Sequence, residues 1–185
     1  MPAPERKHEP PAERLFFALW PDDALRQRLV WCRDTLVADS GAGRRVPAEN
    51  LHVTLAFPGR TDIRQRACVE AMAGVIQCPP FELHLHRSGY WPRSRVLWIA
   101  PAEMPGALIT LAADLHAGAV GCGLKLDTRP YRAHVTLMRK LAQPARNANC
   151  PPLIWSVDRF VLVRFRTLPQ GVKYEVLREW VLGEE

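Results

Sequence analysis

Histidine and threonine recur at one fixed spacing in two distant parts of the chain. The tetrapeptide His-Val-Thr-Leu occurs twice, beginning at His52 and at His134. Both copies lie in apolar, β-branched sequence of the kind that favours strands. Because alternate side chains of a strand share a face, we expect His52 beside Thr54 and His134 beside Thr136. Each copy therefore offers an imidazole and a hydroxyl on one surface, held by an apolar underside.

Two such strands facing each other would place an imidazole on either side of one point. The ordinary pKa of histidine is roughly 6.5, so one ring can donate a proton while the other accepts one. The hydroxyls of Thr54 and Thr136 can donate to phosphate oxygens, and a nearby arginine can offset the phosphate charge. This set suits in-line displacement at phosphorus and requires no metal or other cofactor. The simplest substrate is a cyclic phosphodiester, which needs only water, a base and an acid.

The bulk composition favours a globular protein with a basic surface. The chain has 185 residues, of which 48% are hydrophobic and 24% charged, and its net charge is +6. Such a surface suits phosphate-bearing partners, although its arginines also fit a merely solvated face. The polar N-terminus lacks the apolar core of a signal peptide, and no apolar run reaches the roughly 18 residues of a membrane helix. We therefore expect a cytoplasmic protein that makes no membrane contact.

Cysteine spacing predicts the redox state of the thiols. The chain has five cysteines, and none belongs to a Cys-x-x-Cys pair. An odd number without close spacing fits reduced thiols better than a disulfide framework. We therefore expect free thiols at positions 32, 68, 78, 122 and 150.

Hydrophobic periodicity predicts the order strand, helix, strand, helix, hairpin, helix, strand, hairpin. A disordered tail is expected over residues 1–13, followed by one domain over residues 14–185. Two alternating strands, roughly 156–166 and 173–182, close the chain. The order favours an α+β fold with mostly antiparallel pairing.

Three helices are predicted, beginning near Asp22, Thr61 and Pro105. Each has an apolar stripe at helical spacing. The stripes are Leu25, Leu29, Cys32 and Leu36; Ile63, Ala67, Ala71 and Val75; and Leu108, Leu111, Ala112, Leu115 and Ala119.

Five stretches of the chain resemble a known family. They are RLFFALWPDD, VPAENLHVTLAFPG, SGYWPRSRVLWIAP, RPYRAHVTLMRK and GVKYEVLREWVL. Together with the paired His-x-Thr motifs, they resemble the 2H phosphoesterases from Arg14 to the C-terminus. The flanking stretches are most similar to the RNA 2′,3′-cyclic phosphodiesterases of the LigT/ThpR group.

The resemblance implies a bilobal LigT-like α+β fold, with two antiparallel sheets around a central cleft and the helices outside. It implies hydrolysis of RNA 2′,3′-cyclic phosphate ends to 2′-phosphomonoesters, and an association with reversible 2′-5′ joining of RNA ends. The implied partners are RNA ends, tRNA fragments among them, or small cyclic nucleotides. We expect a monomer that needs no cofactor.

The resemblance also assigns roles to individual residues. His52 corresponds to the proton donor and His134 to the proton acceptor. Thr54 and Thr136 correspond to the phosphate-binding threonines. Arg139, which closes the second motif, corresponds to a phosphate-binding arginine.

The position of Arg139 conflicts with regular strand geometry. Arg139 is an odd number of residues from His134, so a regular strand would direct the two side chains to opposite faces. Arg139 can reach the phosphate if the strand twists, bulges or ends near Met138. Arg132 lies on the same face as His134 by this count and is the alternative phosphate ligand.

Two residues depart from the family pattern. Ala133 stands where the family usually has proline, which affects the entry to the strand but removes no catalytic group. Phe165 stands where relatives often have a small serine, so any contact assigned to that position is in doubt.

Other residues have a functional and a structural interpretation. His84 and His86 share a strand face at a spacing that can hold zinc, or they form a solvated face. Tyr90 and Trp91 are expected in a turn, where they either stack on a base or only shape the turn. For the whole protein, two alternatives stay open. One is a nucleotide- or RNA-binding module without turnover, and the other is a phosphodiesterase for small cyclic nucleotides or ADP-ribose cyclic phosphate.

Overall fold

The computed structural model of the protein describes residues 12–38, 42–143, 150–168 and 171–183. Within these residues it has nine strands and three α-helices. The strands are β1 (Glu13–Leu19), β2 (Arg44–Arg45), β3 (Val53–Thr61), β4 (Phe81–Trp91), β5 (Val96–Pro101), β6 (Val135–Arg139), β7 (Leu153–Val157), β8 (Arg159–Leu168) and β9 (Gly171–Val181). The helices are α1 (Asp23–Leu36), α2 (Ile63–Ala73) and α3 (Gly106–Gly121).

The strands form one antiparallel sheet in the order β7-β4-β5-β6-β3-β1-β8-β9, and β2 pairs with β6. At its centre β3 and β6 pair through Val53 and Val135, the one residue pair that joins them in the described part of the chain. We call this junction the seam, the strands β3, β1, β8 and β9 the first half, and the remaining strands the second half. The α+β fold class predicted from the sequence is confirmed, with the two expected sheets joined at the seam.

The helices cover one face of the sheet and leave the other for the motif side chains. Asp22 caps α1 by accepting a hydrogen bond from the Leu25 amide at 2.7 Å, and the predicted stripe of α1 is buried. α1 packs against β6 and β7, α3 packs against β3, and α2 packs on α3. The opposite face, here called the cleft face, carries a separate apolar cluster around Phe16 and Val163. No helix in the described ranges is long and apolar enough to cross a membrane.

The second helix differs from the prediction. Asp62, and not Thr61, caps α2, in a reciprocal capping box with Gln65. The predicted stripe is also wrong, because Ile63 and Val75 are 69% and 78% exposed. The buried residues of α2 are Val69 and Ala73, which belong to the main hydrophobic core.

Two strand predictions need correction. The strand expected over 156–166 divides at Asp158 into β7 and β8, which lie in opposite halves of the sheet. Tyr90 and Trp91 belong to β4 and not to the turn that follows it. For the predicted tail, residues 1–11 lie outside the described residues, and Glu13 already belongs to β1.

The expectation of five reduced thiols is wrong. Cys32 of α1 is bonded to Cys150 before β7, and Cys68 of α2 is bonded to Cys122 at the end of α3. Cys78 is a buried free thiol. Each disulfide joins a helix to a neighbouring element, which sequence spacing could not indicate.

Candidate active site

The two copies of the motif meet at the seam. His52 directly precedes β3 and His134 directly precedes β6. The antiparallel register around the Val53–Val135 pair places Thr54 across from His134, and His52 across from Thr136. The structure therefore brings the four predicted motif residues together.

Both imidazoles are oriented by a backbone carbonyl two residues before them. His52 Nδ1 donates to the Asn50 carbonyl at 2.7 Å, and His134 Nδ1 donates to the Arg132 carbonyl at 2.8 Å. Since a carbonyl can only accept, Nδ1 carries the proton in both rings and Nε2 of the neutral ring holds the lone pair. His52 Nε2 lies 3.1 Å from Thr54 Oγ1. The motif thus fixes the tautomer that presents Nε2 for proton transfer.

Aromatic rings enclose His52. The ring centroids of Phe16, Trp20 and Tyr174 lie 4.9, 5.6 and 5.4 Å from that of His52, and Trp20 stacks on it at 19°. Burial lowers the pKa of His52 to about 4; the Asn50 carbonyl opposes this shift, and the nearby charges of Arg139 and His134 add to it. The ring is therefore neutral at pH 7.

His134 has a less enclosed environment. The edge of Trp91 meets its ring at 4.7 Å and 77°. Burial lowers the pKa of His134 as well; the Arg132 carbonyl opposes the shift, and the charge of Arg139 adds to it. A ring with a lowered pKa and a fixed Nδ1 proton is ready to accept a proton at Nε2.

A β-bulge occurs at the same place in both motifs. Along β3, Thr54 pairs with Ala18 and Ala56 with Phe17, so Leu55 is the extra residue. Along β6, Thr136 pairs with Trp98 and Met138 with Leu97, so Leu137 is the extra residue. Each extra residue is the leucine that closes the repeated tetrapeptide, and it shifts the alternation of the residues that directly follow it.

The bulge in β6 resolves the position of Arg139. Leu137 and Met138 are both buried, and the next residue, Arg139, is exposed. The charge of Arg139 lowers the pKa of both motif histidines, so its guanidinium lies at the cleft. Arg132 is exposed and contributes its carbonyl to the orientation of His134.

The structure adds further residues to the site that the sequence did not identify, besides the aromatic rings around His52. The Asn50 side chain donates to the Val172 carbonyl of β9 at 3.3 Å. This bond links the residue whose carbonyl orients His52 to the last strand. Tyr131 donates to the Thr54 carbonyl at 3.1 Å across the seam, and burial raises the pKa of its hydroxyl. Burial raises the pKa of the Tyr174 hydroxyl, and the charges of Arg139 and Arg44 oppose that rise.

The remaining sequence candidates lie elsewhere. His84 is paired with Glu82 at 3.2 Å on an exposed face of β4, and His86 contacts the His84 carbonyl at 3.0 Å. In the part of the chain that is described, no group of three or more His, Cys, Asp or Glu side chains could hold a metal ion. Tyr90 donates to the Leu141 carbonyl at 2.8 Å, a structural contact.

Sequence and fold both match known proteins over nearly the whole chain. A family model described as the 2′-5′ RNA ligase superfamily matches residues 21–167. A relative from Escherichia coli (strain K12), named RNA 2′,3′-cyclic phosphodiesterase, is 36% identical over 174 residues, covering 93% of this chain and 98% of the relative. The crystal structure of E. coli LigT in apo form has a TM-score of 0.82 at 31% identity, covering 94% of this chain and 99% of that one. E. coli LigT complexed with 3′-AMP gives 0.80 at 30% identity, with the same coverage of both chains.

Proposed function

The chain belongs to the 2′-5′ RNA ligase superfamily, and we propose that it hydrolyses 2′,3′-cyclic phosphate ends of RNA to 2′-phosphomonoesters. One observation carries the proposal. Two imidazoles, each held by a backbone carbonyl, direct Nε2 toward one cleft that also holds two threonines and Arg139. The name of the E. coli relative, RNA 2′,3′-cyclic phosphodiesterase, supports the same reaction.

In the proposed reaction the two histidines act on opposite sides of the phosphorus atom. His134 Nε2 takes a proton from water, and the water oxygen forms a bond to phosphorus. The bond from phosphorus to O3′ breaks, and His52 Nε2 gives its proton to O3′. The products are a 3′-hydroxyl and a 2′-phosphomonoester, and the two histidines exchange their protonation states.

The donor must gain a proton before the bond breaks. His52 has a pKa of about 4, so most of it is neutral at pH 7. An anionic phosphate beside the ring favours the charged form and raises this pKa. We therefore propose that substrate binding promotes protonation of His52. The protonated form of His52 then occurs mainly in the complex with the substrate.

The phosphate oxygens are held by two hydroxyls and a guanidinium in this proposal. Thr54 and Thr136 donate to the non-bridging oxygens, and Arg139 balances the charge that develops on them. Arg139 is preferred over Arg132 because its charge acts on both imidazoles. Arg132 orients His134 through its carbonyl.

These groups supply a base, an acid and a charge clamp, so we propose that hydrolysis is independent of metal ions. Activity should survive dialysis against a chelator and should not rise on addition of Zn²⁺ or Mg²⁺. Loss of activity in the chelator with recovery on adding zinc would contradict the proposal and would redirect attention to His84 and His86.

We propose 2′-5′ joining of RNA ends as a second candidate function of the same cleft, and the family name supports it. A 5′-hydroxyl of RNA would take the place of water, so that attack on the cyclic phosphate leaves a 2′-5′ phosphodiester and a free 3′-hydroxyl. By microscopic reversibility the same two histidines would catalyse its cleavage. We propose RNA ends, tRNA fragments among them, as the macromolecular substrates, and a cytoplasmic monomer as the working form.

The decisive experiment is incubation with an RNA that ends in a 2′,3′-cyclic phosphate, with the product compared against 2′- and 3′-phosphate standards. We expect the 2′-phosphate. A 3′-phosphate would reverse the assigned leaving group, and tight binding without turnover would favour a binding module. Turnover of free cyclic nucleotides but not of RNA ends would favour a small-molecule phosphodiesterase.

A further inference from the structure

Trp91 gives His134 the kind of contact that three rings give to His52. The hydrogen bond to the Arg132 carbonyl fixes one ring nitrogen of His134. The last torsion of a histidine side chain is broad, so a second contact is needed to fix the plane of the ring. Among the residues that the structure describes, Trp91 is the one aromatic ring in contact with His134, at 4.7 Å and 77°. The plane of the His134 ring therefore depends on Trp91.

Trp91 is in turn held by Trp98 of β5. The centroids of the two indole rings lie 5.4 Å apart, with an angle of 38° between the ring planes. Trp98 pairs with Gly89 of β4 on one side and with Thr136 of β6 on the other. Residues directly opposite each other in a sheet share a face, and so do residues two apart along a strand. Gly89, Trp91 and Trp98 therefore lie on the cleft face, as His134 and Thr136 do.

A glycine makes room for the ring of Trp98. A Cβ atom at Gly89 would lie 2.2 Å from Cζ2 of Trp98 and 2.5 Å from its Cη2. Both distances are much shorter than a van der Waals contact, so any side chain at this position would displace the ring. Gly89, Trp98 and Trp91 thus form a series of contacts that ends at His134. We call these three residues the tryptophan support.

We propose that Trp91 is a positioning residue for His134, and that Trp98, lying against Gly89, holds Trp91 in place. The inference rests on the proposed function, which makes His134 the base. A base must meet the proton it takes within hydrogen-bond distance and in the right direction. The carbonyl on Nδ1 and the edge of Trp91 together set that direction for Nε2.

The tryptophan support also affects the protonation of His134. Burial is the largest cause of the lowered pKa of this ring, and Trp91 forms part of what buries it. The charged and titratable groups that act on His134 are Arg139 of its own strand and His52 across the seam. Replacing Trp91 leaves both in place. Loss of the Trp91 ring should therefore raise the pKa of His134 and leave that of His52 unchanged.

The first test replaces Trp91 and follows both rate and titration. Trp91→Leu should lower kcat on adenosine 2′,3′-cyclic phosphate roughly 2- to 10-fold, which is the usual effect of losing one aromatic edge contact. The pKa of His134, measured by NMR through its Cε1 proton, should rise, so that the acid limb of the pH–rate profile moves to higher pH. Trp91→Phe keeps an aromatic edge and should keep most of both properties. Trp31→Leu, which removes an exposed tryptophan of α1, is the matched control and should change neither.

The second test disturbs the support without replacing either tryptophan. In Gly89→Ala the new Cβ should displace Trp98, so kcat should fall and the pKa of His134 should rise, as in Trp91→Leu. In a Trp98→Leu background the same alanine meets no indole ring and should cause little further loss. Equal losses in the two backgrounds would show that Gly89 does not act through Trp98 and would overturn that part of the proposal.

The titration separates positioning from a general structural defect and from the proposed function. An unchanged pKa of His134 in Trp91→Leu would overturn the proposal even if kcat fell. The titration needs no turnover. If the wild type hydrolyses no cyclic phosphate but the pKa of His134 rises in Trp91→Leu and in Gly89→Ala, the role of the tryptophan support stands and the proposed function fails. If the wild type hydrolyses the substrate and neither variant changes rate or pKa, the proposed function stands and the positioning role fails.

Discussion

Three aromatic rings surround His52, whereas His134 contacts the edge of a single tryptophan in the more open half of the cleft. Both histidines share the same local features: a backbone carbonyl two residues earlier on Nδ1, a threonine on the same face and a bulge at the leucine. The strands outside the motif supply the difference. Local sequence thus fixes how each imidazole is oriented, and tertiary packing decides how readily each one holds a proton.

The strongest test of this difference between the two histidines is to replace each one with alanine and to attempt rescue with added imidazole. His52→Ala and His134→Ala should each lower kcat on an RNA 2′,3′-cyclic phosphate by roughly 10²- to 10⁴-fold. Added imidazole should rescue His134→Ala better as pH rises, because it replaces a base. It should rescue His52→Ala better as pH falls, because it replaces an acid. The same pH dependence of rescue in both variants would mean that the two halves are interchangeable.

The arginine of the second half provides the next largest effect. Arg139→Leu should lower kcat by about 10²-fold, as loss of one charge-stabilising donor does elsewhere. Because the charge of Arg139 disfavours protonated imidazole, its removal should also raise the pKa of both histidines, which NMR titration of their Cε1 protons measures.

Arg132→Leu is the matched variant for this prediction. It keeps the backbone carbonyl that orients His134 and removes a guanidinium from the neighbouring position. We expect a clearly smaller loss of kcat than in Arg139→Leu. A larger loss in Arg132→Leu would assign the phosphate contact to Arg132.

The enclosure of His52 should also appear in the pH dependence of stability. The folded pKa of about 4 lies below the ordinary value, so the unfolded chain binds more protons in the interval between them. The stability contributed by neutral His52 is therefore complete above about pH 6.5 and is lost as pH falls toward 4, by about 1–3 kcal/mol.

Denaturant unfolding at pH 7 and pH 4.5 checks this prediction. The difference in the free energy of unfolding between the two pH values should be smaller in His52→Gln than in the wild type. His84→Gln, on the exposed face of β4, is the control and should behave as the wild type does. An unchanged pH dependence in His52→Gln would contradict the enclosed, neutral state of the ring.

The smallest expected effect concerns the seam between the halves. The hydrogen bond from Tyr131 to the Thr54 carbonyl crosses the seam close to the pair Val53–Val135. Tyr131→Phe should lower kcat a few-fold with little change in KM, because it loosens the spacing of the two histidines. Tyr90→Phe removes the same kind of bond, to the Leu141 carbonyl, at the periphery of the second half. Equal kcat in the two variants would show that the Tyr131 bond has no special role.

How far the sequence predicts this molecule depends on whether a feature is local. The paired motifs, the Asp22 cap and the stripes of α1 and α3 follow from spacing alone, and the structure has them. The prediction of the buried stripe of α2 was wrong because several faces of this helix are similarly apolar. Only contact with α3 decides which face is buried. The cleft side of Arg139 depends on a bulge set by pairing with β5.

The aromatic rings around His52 could not be predicted from the sequence, for a different reason. In β1 both faces are buried, so the alternation of Leu15, Phe16 and Phe17 gives no sign that Phe16 alone contacts His52. Tyr174 comes from the other end of the chain. The disulfides likewise join residues 118 and 54 positions apart.

The order of the strands has a consequence for how the protein is made. β8 and β9 complete the first half, yet they follow all strands of the second half in the chain. Synthesis from the N-terminus therefore releases both motif histidines from the ribosome well before Tyr174 and the Val172 carbonyl that anchors Asn50. Until β8 emerges, β1 is an unpaired edge, and until β9 emerges His52 lacks the ring of Tyr174. A nascent chain thus carries both motif histidines early but completes the surroundings of His52 last.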